Sequence, residues 1–159
     1  MEFLKVLKKN KLAMIGLIII SVFTIMALGA PFIAVQDPTE QNLDYVLKKP
    51  DHKFFLGTDE LGRDIYSRVI WGARNSLIVG ILVVLLGGSL GVIIGTLSGY
   101  CGGPVDTVLM RIMDTMMSFP TILLSLLIVT IIGIGLEGAI IAVGLASVPR
   151  FARITRGSV

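Results

Sequence analysis

Residues 12–35 read LAMIGLIIISVFTIMALGAPFIAV, 24 positions without a charge, and this run decides the fold. At about 1.5 Å per helical residue it reaches about 36 Å, enough to cross a hydrocarbon core of roughly 30 Å with some tilt. A cleaved leader competes with a true span, because Lys5, Lys8, Lys9 and Lys11 form a basic tip ahead of the run. The run far exceeds the roughly 7 to 15 residues of a leader's apolar region. Further apolar blocks return at 77–97 and from Thr115 onward, so the sequence predicts an all-α polytopic membrane protein.

Composition points the same way. Mean hydropathy is +0.88, and 54% of residues are apolar against 16% charged, where a soluble domain carries about 25% charged residues. The net charge of +3 sits beside the apolar blocks rather than in a patch with aromatics, which fits topology and argues against a nucleic-acid partner. Cys101 is the only cysteine and His52 the only histidine, so neither an internal disulfide nor a Cys/His metal site is expected. No nucleophile–base set and no phosphate-cradling glycine loop is present; catalytic residues, metal and cofactor are all expected to be absent.

The lysine tip predicts a cytoplasmic N-terminus by the positive-inside rule. Residues 1–35 then form the tip and first span, 36–76 an external loop, and 77–159 a membrane domain of three further spans. The loop holds six Lys/Arg, offset by seven acidic residues. Span two is 77–97. Residues 99–104, GYCGGP, read as a tight turn. Span three runs from about Asp106 to Leu136 with a kink at Pro120. A glycine cluster around Glu137 turns the chain again. Span four starts near Gly138 and reaches the inner face only if it continues through Pro149 to Gly157, with Arg150, Arg153 and Arg156 reaching toward water. Both termini are therefore expected in the cytoplasm of a cell whose inner membrane holds this chain.

Gly87, Gly91 and Gly95 fall every four residues on one helical ridge, the spacing that lets helices pack closely. Arg111 and Asp114, at i and i+3, can pair on one face at membrane depth, and with Ser118 and Pro120 they are candidates for polar or kinked elements of a transport path; the alternative is that Asp106, Arg111 and Asp114 sit at the inner interface as a salt-bridged anchor. Met110, Met113, Met116 and Met117 read as packing residues. The most specific segment is 56–74, LGTDELGRDIYSRVIWGAR. Thr58 is placed to cap a helix whose first turn holds Asp59 and Glu60, and Leu61, Ile65 and Val69 recur every four residues. The expectation is an amphipathic helix at the outer interface feeding into span two. Thr58, Asp59, Gly62, Arg63, Asp64, Arg68 and Arg74 are then candidates for an external gate or docking site, with a plain surface anchor as the alternative.

Three blocks, LGTDELGRDIYSRVIWGARNSLIVG, SGYCGGPVDTVLMRIMDTMMSFPTILLSLL and VPRFARITRGSV, together with the basic tip and first span, resemble the second ("C") permease subunits of ATP-driven importers for dipeptides, oligopeptides and nickel. The resemblance implies one half of a heterodimeric translocation path in the bilayer, working with a partner permease subunit, two cytoplasmic ATPase subunits and an external substrate-binding protein. It implies no catalytic residue in the chain itself. Family members continue into a Glu-Ala-Ala coupling loop and two more spans, so this chain reads as the first four of an expected six spans, with the ATPase-coupling loop absent from it. The alternative is a stand-alone small four-span membrane protein, a structural partner or pore. No internal repeat is visible.

Overall fold

A computed structural model describes residues 10–159; Lys5, Lys8 and Lys9 of the basic tip lie outside the described residues. Helix α1, Lys11–Ile33, starts where the Asn10 side chain accepts the amides of Leu12 and Ala13 at 3.1 and 3.3 Å, satisfying two donors that a helix start leaves orphaned. Its large apolar side chains are exposed and only Ala27 and Ala30 are buried, as suits a helix solvated by lipid.

The chain forms two compact units, Met1–Leu77 and Ile78–Val159. After α1 the first unit contains a short 3-10 turn at Leu43–Tyr45 and an irregular loop that leads into α2, Ile65–Cys101. Helix α2 has 37 residues, about 55 Å of rise. It starts at Ile65, six positions after the Asp59 start, capped by Thr58, that the amphipathic pattern suggested. It also runs on through Gly99, so the turn expected over 99–104 shrinks to Gly102, where φ is +60°. Glycine tolerates that conformation and other residues resist it. Pro104 then sits in the first turn of α3, Gly103–Ser118, where a missing N–H costs nothing.

The expected third span is two helices. Helix α3 ends at Ser118, α4 covers Thr121–Ile132, and their axes differ by 97°. Pro120 sterically drives its predecessor out of the helical region, and Phe119 is extended with ψ of 138°. What reads as a kink in the sequence is thus a break. Helix α5, Leu136–Arg156, follows a turn at Gly133 and Gly135 and continues through the buried Pro149 to the end of the arginine series. It packs against both α4 and α3. Among the described residues, α1, α2 and α5 are long and apolar enough to cross a membrane, and α3 with α4 adds a fourth crossing if the bent pair counts as one.

The core of the second unit is formed by Met110, Met113, Val148 and Ala152, with Ile94, Leu109, Met116 and Leu145 around them. Met117 stays exposed. Along α2, Gly87, Gly91 and Gly95 face α5. A Cβ on Gly87 would fall on Ser147 Oγ and lie 2.7 Å from the Gly144 carbonyl oxygen, and one on Gly95 would collide with the Ala152 carbonyl and lie 2.7 Å from Thr155 Cβ. The α2–α5 approach is thus backbone to backbone.

Candidate functional site

The loop between α1 and α2 is organised by carboxylates. Asp59 Oδ1 accepts the amides of Leu61 and Arg63, both at 2.9 Å, while its Oδ2 takes Arg63 Nε at 2.8 Å and Arg68 Nη1. Partial burial alone would raise the Asp59 pKa. The amide bonds from Arg63 and Leu61, then the side-chain bond and charge of Arg63, outweigh it and hold the carboxyl at about 2. Asp64 stands at the residue before α2, and its Oδ2 accepts the Ser67 amide at 2.9 Å and the Ser67 hydroxyl at 2.6 Å. It caps the helix, the role the sequence suggested for Thr58. Ser67 Oγ in turn accepts the Gln36 amide at 3.1 Å, tying the end of the first span to the start of α2.

Thr58 does other work. Its hydroxyl donates to the Tyr45 carbonyl and accepts the Lys48 amide at 2.8 Å, and its own amide donates to the Lys48 carbonyl at 3.0 Å. Gly57 and Gly62 have φ of +76° and +70°, and a Cβ on Gly62 would fall on the Asn42 carbonyl oxygen. These two glycines are why the stretch folds back on itself, and why its four-residue apolar spacing does not make a helix before Ile65. Phe54 is buried against Tyr45, with Lys48 and Lys53 stacked over both rings. The Lys48 ammonium, bonded to Asp51 at 2.7 Å, leads the contacts that hold the Asp51 carboxyl at about 2.

Of the loop residues singled out in the sequence, Thr58, Asp59, Gly62, Arg63, Asp64 and Arg68 are brought together in this clasp. Arg74 is separate, stacked over Trp71 at 5.2 Å. Arg63 and Arg68 are committed to Asp59, and Asp64 is buried with 3% exposure, so they fix the loop's shape instead of presenting free charge.

In the second unit Asp114 does not pair with Arg111. It meets Arg153 of α5 at 2.5 Å, and Asp106 meets Arg156 at 2.6 Å while also accepting the buried Ser98 hydroxyl. The two helices run antiparallel, so a carboxylate early in α3 reaches the arginine late in α5. Arg111 is exposed beside Thr107, Val108, Ile112 and Thr115 along a shallow apolar groove. Ser118 donates to the Thr115 carbonyl at 2.6 Å and closes α3, and Pro120 sits at the break. That break opens a cavity of about 270 Å³ lined by Met116, Met117, Phe119, Thr121, Ser147 and Arg150 among others. Sequence reasoning missed the pairing of Asp106 and Asp114 with the terminal arginines; the available signal was sign complementarity between two helices joined by short connections. No grouping of His, Cys, Asp and Glu suited to a metal is found among the described residues.

Residues 1–50 match the N-terminal TM domain of oligopeptide transport permease C, and residues 91–159 match the inner membrane component of binding-protein-dependent transport systems. The dipeptide transport system permease protein DppC of Haemophilus influenzae is 40% identical over 99% of this chain and 55% of its own length. The oligopeptide transport system permease protein OppC of Bacillus subtilis is 40% identical over 96% of this chain and 50% of its own. The glutathione transport system permease protein GsiD of Pectobacterium atrosepticum is 36% identical over 99% and 52%. The chain spans about half the length of the curated relatives it matches.

Proposed function

From the premise that this chain belongs to the permease family of binding-protein-dependent transport systems, in its oligopeptide permease C branch, we propose that it forms half of the translocation path of an ATP-driven peptide importer. The observation that carries this is a relationship at 40% identity that extends over 99% of the chain. It leaves little room for a stand-alone four-span protein. The relatives' names favour a small peptide as cargo over the nickel ion that the motifs also admit. A partner permease, two cytoplasmic ATPases that supply the hydrolysis, and an external binding protein complete the proposed assembly. In this reading the chain itself performs no chemistry.

We further propose that 36–76 lies outside and both ends inside, with 1–35 as the anchor and 77–159 as the path-forming part. This topology requires the bent α3–α4 pair to make one crossing, since a re-entrant excursion would leave Arg156 on the outer side. The loop clasp around Asp59 and Asp64 would then give the binding protein a rigid outer surface to meet, with Arg74 at its edge, and Arg111, Asp114, Ser118 and Pro120 would lie along the path.

Two measurements test the reading. Disrupting the gene in its host should abolish uptake of labelled dipeptide, with recovery on complementation, and the tagged chain should co-purify with a second permease and a nucleotide-binding subunit. Undiminished uptake and a chain that purifies alone would refute it. Single cysteines at Thr39 and Thr155, in a Cys101→Ser background, should respectively react and fail to react with an impermeant thiol reagent on intact cells; the opposite pattern would overturn the orientation.

A further inference from the structure

Three arginines follow one another at three-residue intervals on α5, and two of them are neutralised inside the unit: Arg153 by Asp114 and Arg156 by Asp106. Arg150 has no carboxylate within ion-pair distance among the described residues. It borders the cavity at the α3–α4 break together with Ser147, Thr121, Phe119, Met116 and Met117, and none of the residues lining that cavity is acidic. Its side chain is exposed, so its charge is open to an anion that enters this cavity of about 270 Å³. The volume is close to the lower end, about 300 Å³, of ordinary small-molecule sites.

The position adds weight. In membrane transporters, interrupted helices line the places where polar cargo is handled, because regular helices leave no backbone or bend to shape a pocket. The rest of the lining sorts itself by chemistry. A guanidinium matches a carboxylate with two parallel N–H···O bonds. Ser147 already donates its hydroxyl to the Gly144 carbonyl at 2.7 Å, so its oxygen is left as an acceptor for an N–H. Met116, Met117 and Phe119 offer soft, adaptable apolar contact that does not select one side-chain shape.

We propose that Arg150, at the break between α3 and α4, receives the free C-terminal carboxylate of the transported peptide. This rests on the peptide-importer reading above and deepens it. The ligand class is a short peptide with an unblocked C-terminus and variable side chains, recognised at its terminal charge.

The chain labelled with ¹⁵N-arginine, in nanodiscs of phosphatidylcholine alone, is titrated with Ala-Ala and with Ala-Ala amide. The Arg150 Nε resonance, assigned by its loss in Arg150→Gln, should move with Ala-Ala and respond about tenfold more weakly to the amide. In the assembled importer, Arg150→Gln should raise the KM for Ala-Ala about tenfold at unchanged membrane abundance, with Arg150→Lys, which keeps the charge but not the two parallel bonds, recovering only part of the loss. Equal responses to acid and amide would overturn the proposal. So would a shift that appears only when phosphatidylglycerol is added, which would identify a lipid headgroup as the anion, or an unchanged KM in Arg150→Gln. A parent assembly that takes up no peptide would sink the importer reading, whereas normal parental uptake with an indifferent Arg150→Gln would sink only the role of Arg150.

Discussion

Replacing Gly91 by alanine puts a Cβ against Phe151 Cβ and 3.0 Å from both the Ala152 amide nitrogen and the Val148 carbonyl oxygen. Ordinary contacts between such atoms lie near about 3.5–4.0 Å, and two of these three neighbours are α5 backbone, which no rotamer change can move aside. The helices must part by about half an ångström or more, which loosens the Gly87 and Gly95 contacts with it. Overpacking of this kind costs about 1–3 kcal/mol. The substitution also gains about 0.5–1 kcal/mol of helix propensity, which obscures the packing cost if Gly91→Ala is compared with the parent. Gly88→Ala provides the right reference. It lies in the same helix and has nothing within 4 Å of its added Cβ, so the propensity gain cancels and the difference between the two variants is the packing cost itself. Unfolding in dodecylmaltoside–SDS mixed micelles, followed by a fluorophore on Cys101, should separate them by about 1–3 kcal/mol, about five- to 150-fold in the equilibrium constant. Coincident curves for Gly91→Ala and Gly88→Ala would refute the backbone-to-backbone contact.

Other outcomes follow from the charged contacts. The folded pKa of Asp59 is depressed to about 2 from the ordinary 3.8, so the clasp's contribution is fully present above about pH 4 and is lost as pH falls toward 2; the protection factors of the Leu61 and Arg63 amides, taken relative to the intrinsic exchange rate at each pH, should fall in that window and stay flat between pH 5 and 8. Asp64→Ala removes the α2 cap and should cost about 1 kcal/mol, read as faster exchange of the Ser67 amide, with Asp64→Asn retaining most of the protection. Asp114 and Arg153 are about half exposed, at 53% and 52%, so a double-mutant cycle with Asp114→Asn and Arg153→Gln should give a coupling below about 1 kcal/mol that shrinks further in high salt. The same cycle on Asp106 and Arg156, where Asp106 is only 20% exposed, should give the larger coupling.

The sequence revealed most where one physical signal dominates. Runs without charge locate α1, the body of α2 and α5, because hydrocarbon tolerates little else there. It misled where a local pattern competed with backbone geometry. Leu61, Ile65 and Val69 have helical spacing, yet Gly57 and Gly62 adopt left-handed φ and Asp59 collects amides from its own turn, so the helix waits for Asp64 to cap it. Conversely, the glycines and proline near 99–104 promise a long loop, but α2 runs on through Gly99 to Cys101, and the left-handed Gly102 and Gly103, with φ of +60° and +53°, make the break. Pro120 was visible, while the size of its effect was not, since a proline can bend a helix or end it and the neighbouring extended Phe119 decides. The pairing of Asp114 with Arg153 and Asp106 with Arg156 spans 39 and 50 residues. No local spacing rule reaches that far; only the antiparallel packing of α3 and α5 brings those signs together.

The break at Phe119–Pro120 also bears on how the protein enters its membrane. Helix α4 has 12 residues, about 18 Å against a hydrocarbon thickness of roughly 30 Å. It is too short to be threaded and released into lipid as an independent segment. Its most extensive contact is with α5, its immediate successor in the chain, joined through three residues at Gly133–Gly135. Synthesis would therefore have to hold α4 at the insertion machinery until α5 emerges, so that the two leave as a hairpin. A single cysteine placed in α4, in a Cys101→Ser background, should stay reactive toward an aqueous thiol reagent in chains stalled before α5 has left the ribosome, and become protected in chains stalled well beyond Arg156.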